Sequence, residues 1–281
     1  SVAAGSLSEN DDSPMHGVAF NSNILFTAIQ LAEPDENYDP VDLGDSSGNN
    51  APDFTGIDNF FSQLFEIYNI ADVDIVNNSY GYSGNINDYN ETQIRNAFPK
   101  TIEEMAQADT PDSQKTIYVW AAGNAGSYAD QGVDYSSPEL LPGMSVYVSE
   151  IQSHSIAVVA IDESGEISDF SNRCGIAADF CIAAPGGSIT VAYPVTEADQ
   201  GIYEDDDYDC ETTNNCFAVA NGTSFASPFV AGGLAVIADF FSGQLGATEI
   251  VQRMLSTANK TGVYADAEIY GQGLLDLDAA T

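Results

Sequence analysis

The pattern of apolar positions predicts a set of buried strands. Residues 115–122 and 155–161 are nearly continuous apolar runs, typical of strands that are buried on both faces in a parallel sheet. Residues 73–79 and the β-rich stretch 23–31 are predicted to be further strands. We therefore expect a sheet with at least two fully covered strands.

Apolar residues at helical spacing lie between and after the predicted strands. Thr55 is predicted to cap a helix whose apolar face consists of Ile57, Phe60, Phe61, Leu64, Phe65 and Tyr68. Another helix is predicted over residues 90–108, with a kink or break at Pro99. Residues 229–241 are apolar nearly all round, which is typical of a helix inside a large domain, and a last helix is expected over 247–258.

The order of these elements indicates the fold class. Strand and helix patterns alternate along most of the chain, which favours helices packed on a parallel sheet. We expect an α/β protein, a three-layer α/β/α arrangement with a mainly parallel central sheet. The chain has 281 residues, with no internal repeat and no marked break in composition, so one domain over residues 1–281 is expected.

The chain is strongly acidic, with 6 Lys and Arg residues against 43 Asp and Glu residues and a formal net charge of −37. This charge repels nucleic acid, so no such partner is expected. A solvated acidic surface is the favoured interpretation.

Calcium as a structural ion also suits the acidic loops at 35–45 and 204–209, but neither has a convincing ligand spacing. No metal-binding residue is assigned, no cofactor is required, and no membrane insertion is expected because no uninterrupted apolar run reaches 18 residues.

Four cysteines occur in two close pairs, Cys174 with Cys181 and Cys210 with Cys216. Four cysteines allow three connectivities, and the sequence alone does not choose among them. Zinc spacing with additional histidines is missing, so disulfides that close local loops are the better interpretation. Such bonds indicate an oxidising compartment.

Residues 221–228, Asn-Gly-Thr-Ser-Phe-Ala-Ser-Pro, place a serine at the predicted start of the apolar helix. Gly222 allows a sharp turn, Thr223 or Ser224 can cap the helix, and Pro228 is expected early in it. A serine at this position faces the positive end of the helix dipole, and its own N–H is free to bind an oxyanion. A plain cap serine is the alternative. The phrase Gly-Thr-Ser-Phe-Ala-Ser-Pro resembles the nucleophile motif of subtilisin-like serine proteases, the subtilases, which implies that Ser224 is the nucleophile.

Two other segments are similar to functional segments of the same family. Asn124 ends the phrase Ala-Ala-Gly-Asn after a predicted strand, and the resemblance implies that its side-chain amide is an oxyanion donor. Ser79, Tyr80 and Gly81 resemble the edge that pairs with an extended peptide substrate. These three residues would form one wall of the primary specificity pocket. The opposite wall would consist of Ala121, Ala122 and Gly123, with Thr223 as a further substrate-binding residue.

The subtilase triad requires an aspartate and a histidine before the serine in the chain. The chain contains only His16 and His154, and neither fits the family position. The opening Ser-Val-Ala-Ala-Gly-Ser is similar to the residues that follow the family's His-Gly-Thr. We therefore expect the catalytic histidine and aspartate upstream of Ser1, a truncated peptidase domain, and a chain that is inactive by itself.

The resemblance implies a serine endopeptidase that acts through an acyl-enzyme on Ser224, with a protein or peptide in extended conformation as substrate. Residues 170–175 and 181–186 resemble segments of secreted or autotransported bacterial subtilases, so a secreted or cell-surface location is expected. Two alternatives stay open at this point. They are a catalytically inactive subtilase-like peptide-binding module and a structural surface domain.

Overall fold

The computed structural model describes Ala3 and residues 17–19, 22–27, 38–193, 208–209 and 216–281. At its centre is a parallel sheet in the order β1-β2-β3-β4, formed by β1 (Ile75–Asn78), β2 (Ile117–Ala121), β3 (Ser155–Ile161) and β4 (Cys181–Pro185). Every residue of β2 and β3 is buried. The two apolar runs are therefore the central strands, as predicted.

Helices cover both faces of this sheet. In the described residues they are α1 (Thr55–Ile70), α2 (Glu91–Ala97), α3 (Pro99–Ala106), α4 (Leu140–Gly143), α5 (Thr223–Phe240), α6 (Ala247–Thr257), α7 (Ala267–Tyr270) and α8 (Leu277–Ala280). Alternate residues of β2 face opposite layers, as the pleat requires. Tyr118 and Trp120 pack with α1 and α3, whereas Ile117 and Val119 pack with α5 and α6. The three-layer α/β/α expectation is confirmed.

The start of α1 differs from the sequence expectation, whereas the start of α3 agrees with it. Phe54 is the N-cap of α1 and Thr55 is its first helical residue, and the Asp53 carboxylate accepts the Thr55 N–H at 2.9 Å. The break predicted at Pro99 is present, with α2 ending at Ala97 and Pro99 opening α3, where its missing N–H is not needed.

The start of α5 also differs from the expectation. Gly222, with φ of +153°, is the N-cap, so neither Thr223 nor Ser224 is. The Thr223 N–H instead donates to the Asn124 Oδ1 atom at 3.0 Å.

Among the described helices α5 alone is long and apolar enough to cross a membrane, but half of it is buried in the protein, and core helices have the same composition.

The strand predicted over residues 23–31 is not formed in its described part, and residues 28–31 lie outside the described residues. Residues 22–27 form no strand ladder, although 23–31 is β-rich in composition. Ile24 and Phe26 are 68% and 83% exposed. A strand is stable only when its backbone is paired, and composition alone does not supply a neighbour.

A small antiparallel sheet follows β4 and precedes α5 along the chain. It has the order β5-β7-β6 and consists of β5 (Ile189–Tyr193), β6 (Tyr208–Asp209) and β7 (Cys216–Ala220). This sheet leads the chain back to the β4 end, where the Gly222 N–H donates to the Gly186 carbonyl at 2.9 Å. The turn before Ser224 is thereby fixed to the central sheet.

Cys174 and Cys181 form a disulfide, and both residues are fully buried. Cys210 lies outside the described residues, so its pairing with Cys216 stays a prediction. The closed loop is short, with a sequence separation of 7.

We expect the double substitution Cys174→Ala/Cys181→Ala to lower the free energy of unfolding by about 2–3 kcal/mol, because an open loop gives the unfolded chain more conformations. Urea unfolding followed by Trp120 fluorescence measures this loss. The control is the wild-type protein unfolded with a reductant, which should lose a similar amount. A loss below about 1 kcal/mol would argue against the loop-closure explanation.

Candidate active site

The residues assigned to the site converge at one edge of the parallel sheet. β1 ends at Asn78 and β2 at Ala121, and the carboxyl ends of parallel strands meet at the same edge, where α/β proteins bind ligands. Asn124 follows β2 closely, and the N-terminus of α5 contacts it through Thr223. Ser224 is next to Thr223 and contacts Ser79 at the end of β1.

Ser224 is the second residue of α5 and is partly exposed. Its Oγ atom donates to the Ser79 carbonyl at 3.3 Å. A backbone N–H in the first turn of a helix has no acceptor within the helix, and the helix dipole makes this end positive. The hydroxyl and the N–H of Ser224 therefore both lie where negative charge is stabilised.

The Asn124 side chain is held by its oxygen. Its Oδ1 atom accepts from the Thr223 N–H at 3.0 Å and from the Thr223 hydroxyl at 3.1 Å. The same hydroxyl accepts from the Gly123 N–H at 3.2 Å. The Nδ2 atom faces the turn before Ser224, since a Cβ atom on Gly222 would lie 3.7 Å from it. Fixing the oxygen in this way leaves the NH₂ group of Asn124 as the donor.

Asn172 holds the chain on both sides of Asn124. Its buried side chain accepts from the Ala125 N–H at 2.8 Å and donates to the Ser137 carbonyl at 2.8 Å. Its backbone N–H donates to the Gly123 carbonyl at 3.0 Å. Asn172 lies in the Phe-Ser-Asn-Arg segment that carried part of the resemblance, but sequence reasoning gave it no role.

Pro228 removes a hydrogen bond from α5, and Ser79 replaces it. Pro228 is the sixth residue of α5, further into the helix than the sequence suggested. It has no N–H, so the Ser224 carbonyl four residues earlier lacks its helical donor. The Ser79 hydroxyl donates to that carbonyl at 2.9 Å. The end of β1 thus replaces the hydrogen bond that proline removes beside the predicted nucleophile.

We expect Ser79→Ala to lower the free energy of unfolding by about 1–2 kcal/mol, because the Ser224 carbonyl loses its donor. Urea unfolding monitored by Trp120 fluorescence measures this. Asn77→Ala is the matched control, since it removes a 2.9 Å bond to the same Ser79 hydroxyl but leaves the bond to Ser224 intact. Equal losses in the two variants would contradict this role of Ser79.

The two walls of the predicted pocket differ in how their side chains are placed. The Tyr80 ring points into the core, 5.8 Å from the Trp120 ring and 6.1 Å from the Phe61 ring, so it offers the pocket only its backbone. On the other wall, Ala121 and Ala122 are buried.

A residue that the sequence reasoning missed, Glu139, lies between the two walls. A Cβ atom on Gly81 would be 2.5 Å from its Oε2 atom, and one on Gly123 would be 2.5 Å from its Oε1 atom. The sequence feature that could have indicated Glu139 is its single negative charge directly before the apolar residues 140–144.

The Glu139 carboxyl is buried, with the residue 6% exposed. Burial raises its pKa to about 7, and hydrogen bonds from the Tyr38 hydroxyl and the Asn124 N–H partly oppose this rise. The Tyr38 ring stacks on Tyr128, with 4.6 Å between the ring centroids, and burial beside Glu139 raises the pKa of its hydroxyl strongly. At neutral pH the phenol is therefore protonated and donates to Glu139.

Comparison with known proteins identifies the family. Residues 1–273 match the profile of the subtilase family. The chain belongs to the subtilase family. Serotype-specific antigen 1 of Mannheimia haemolytica is 29% identical over 171 residues, covering 60% of this chain and 16% of that protein. Subtilisin DY of Bacillus licheniformis is 31% identical over 164 residues, covering 58% of this chain and 46% of that protein.

This subtilase chain therefore spans less than half the length of either relative. A solved structure described as the self-cleaved protease domain of PatA has a similar fold, with a TM-score of 0.54 and 20% identity. The match covers 78% of this chain and 64% of that one. At this identity the likeness concerns the fold alone.

The described part of this subtilase places no histidine beside Ser224. The His154 Nε2 atom lies 2.7 Å from the Met105 carbonyl, and burial lowers the pKa of the ring. His154 directly precedes β3, at the amino end of the strands and opposite the Asn124 edge. His154 is therefore a structural histidine, and His16 lies outside the described residues.

Within the described ranges, no group of three or more His, Cys, Asp or Glu side chains is arranged to hold a metal ion. In the first acidic loop, the Asp45 carboxylate accepts from the Ser47 and Asn49 N–H groups at 2.9 and 3.1 Å. The Ser47 hydroxyl, which also donates to this carboxylate, and these two N–H groups lower the pKa of Asp45. Residues 204–207 are not among the described residues, so structural calcium stays an expectation.

Proposed function

We propose that this chain carries the nucleophile and oxyanion site of a serine endopeptidase. Ser224 Oγ attacks the scissile carbonyl, and the Asn124 NH₂ group and the Ser224 N–H hold the oxygen that becomes negative. The Ser224 proton passes to a histidine and then to the leaving amine, and water later releases the acyl group. The observation that carries this proposal is the meeting of Ser224, Asn124 and the end of β1 at one sheet edge.

The mechanism needs a base that the described residues do not place at Ser224. A histidine and an aspartate upstream of Ser1 supply it in the mechanism that we propose, and the chain alone is then inactive. The present partner of Ser224 Oγ, the Ser79 carbonyl, is an acceptor that cannot take up a proton at neutral pH.

The substrate that we propose is a protein or peptide in extended conformation, bound along residues 79–81 by strand addition. Phosphate-rich polymers are disfavoured by the net charge of −37. A secreted or cell-surface location is supported by the Cys174–Cys181 disulfide, which is stable in oxidising compartments.

The test is labelling with a fluorophosphonate, followed by mass spectrometry to locate the modified residue. We would label this chain, the same chain extended upstream through the predicted histidine and aspartate, and the extended chain with Ser224→Ala. Label on Ser224 in the extended chain, absent from this chain and from Ser224→Ala, is the expected result.

Other outcomes separate the alternatives. Label on Ser224 in both chains would mean that a base is already present, and His16 would then be examined by substitution. Label in neither chain, with both chains folded, would overturn the enzyme proposal and leave a peptide-binding module.

A further inference from the structure

Glu139 is held in place by its backbone on two sides. Its N–H donates to the Ala122 carbonyl at 2.9 Å, and its own carbonyl accepts from the Gly143 N–H at 2.9 Å in the first turn of α4. It also forms an isolated antiparallel bridge with Asn85. The backbone of Glu139 is therefore fixed by the fold, and burial with two hydrogen-bond donors holds its carboxyl group between Gly81 and Gly123.

The absence of side chains on Gly81 and Gly123 is what makes room for this carboxyl group. Each Cβ atom would lie within 2.5 Å of a Glu139 oxygen, a distance that real Cβ atoms do not reach. Because these glycines belong to the two walls assigned to the substrate pocket, the carboxyl group lies in the space where a substrate side chain would enter.

No Lys or Arg residue of this chain is paired with Glu139. The six Lys and Arg side chains all lie in described residues and bond elsewhere. Their partners are Glu91 and Glu150 for Arg95, Asn59 for Lys100, the Ala106 carbonyl for Lys115, the Ser168 and Ser171 carbonyls for Arg173, the Ala280 carbonyl for Arg253, and Gln272 for Lys260. A buried carboxyl group usually has a cationic partner when it is ionised.

In this structure, neutral hydrogen-bond donors contact the Glu139 carboxyl group in place of a cationic partner. The Tyr38 hydroxyl and the Asn124 N–H donate to the Glu139 carboxyl. Tyr38 comes from a loop outside the helices and strands, and the nearby Val41 N–H donates to the Ser83 carbonyl at a long 3.4 Å. A neutral hydroxyl is a weaker partner for a carboxylate than an ammonium or guanidinium group, so a basic side chain that reaches Glu139 can displace the Tyr38 hydroxyl.

We propose that Glu139 selects substrates with a lysine or arginine side chain immediately before the scissile bond, the basic group displacing the Tyr38 hydroxyl from the carboxylate. This inference rests on the proposed function, because the two walls form a substrate pocket only if Ser224 is the nucleophile. The net charge of −37 favours the approach of a basic peptide. Pairing with the entering ammonium or guanidinium group supplies the positive charge that none of the six Lys and Arg side chains provides.

The experiment compares two fluorogenic peptides, succinyl-Ala-Ala-Pro-Lys and succinyl-Ala-Ala-Pro-norleucine aminomethylcoumarin, with the full-length secreted protein as enzyme. Norleucine matches the apolar stem of lysine and lacks its charge. We expect kcat/KM to be about 10- to 100-fold higher for the lysine peptide, the range of a charged hydrogen bond in a desolvated site. In Glu139→Gln this ratio should fall to about 1. Glu163→Gln, at an exposed glutamate that is not among the residues assigned to the pocket, is the matched control and should keep the wild-type ratio.

A ratio near or below 1 in the wild-type protein overturns the inference and leaves the proposed function standing. Should neither peptide be cleaved, the inference is decided by binding to Ser224→Ala. Fluorescence polarisation with labelled Ala-Ala-Pro-Lys and Ala-Ala-Pro-norleucine should then give a Kd about 10-fold lower for the lysine peptide. Equal affinities would reject the role of Glu139 whether or not the protein is an enzyme.

Discussion

Replacing Asn124 with alanine is expected to lower kcat of the full-length protein on a peptide substrate by about 10²–10³-fold, with a much smaller change in KM. The substitution removes the NH₂ group that stabilises the oxygen only when it becomes negative, so the loss falls on the transition state. Steady-state kinetics with the preferred fluorogenic peptide measure both constants.

The control for this prediction is Thr223→Val, which removes the hydroxyl that bonds to Asn124 and Gly123 but leaves the Asn124 donor. We expect a loss of less than about 10-fold in kcat, because the Thr223 N–H still fixes the Asn124 oxygen. A loss of less than about 10-fold in Asn124→Ala would show that another group holds the oxyanion. A loss of more than about 10-fold in Thr223→Val would show that the Thr223 N–H alone does not fix the Asn124 side chain.

Glu139→Gln is expected to stabilise the folded protein at alkaline pH by about 3 kcal/mol relative to the wild type. Burial raises the pKa of Glu139 from 4.5 to about 7, so the folded protein keeps a proton that the unfolded chain releases in this window. The stability that this group contributes is present below pH 4.5 and is lost as the pH rises through 7. Glutamine resembles the protonated form at every pH, so the difference between the two proteins should be below about 1 kcal/mol at pH 5 and largest above pH 8.

Urea unfolding monitored by Trp120 fluorescence between pH 5 and pH 9 measures this difference. Glu163→Gln serves again as the exposed control and should follow the wild-type profile. A stability difference between Glu139→Gln and wild type that is the same at all pH values would mean that the Glu139 carboxyl group is already ionised at pH 5.

Much of the fold was predictable from local patterns. The strands β2 and β3 are buried on both faces and leave continuous apolar runs, and Pro99 marks its helix break because a proline is tolerated in the first turn and not inside a helix. The strand predicted over residues 23–31 is not formed at residues 22–27, and the reason lies outside the local pattern. Strand composition shows that a segment suits a sheet, but pairing depends on which neighbour the whole fold provides.

The site was predictable only in part. Ser224 and Asn124 follow from their places at a helix start and a strand end, which parallel topology brings to one edge. The bond from Ser79 to the Ser224 carbonyl joins residues 145 positions apart and depends on where Pro228 lies in α5, which the sequence placed too early. Glu139 was missed because nothing in the spacing of Gly81, Gly123 and Glu139 shows that the two glycines face the same carboxyl group.

Asn124 forms hydrogen bonds to two neighbouring residues through two different groups. Its side-chain oxygen is held by Thr223, and its backbone N–H donates to Glu139. A peptide side chain that enters beside Glu139 therefore changes the surroundings of the residue that we expect to stabilise the reacting oxygen. Discrimination between peptides should then be expressed in the speed of bond cleavage as well as in affinity. A peptide that fits the strand edge but not Glu139 would be held and cut slowly, and it would act on this protein as a competitive inhibitor.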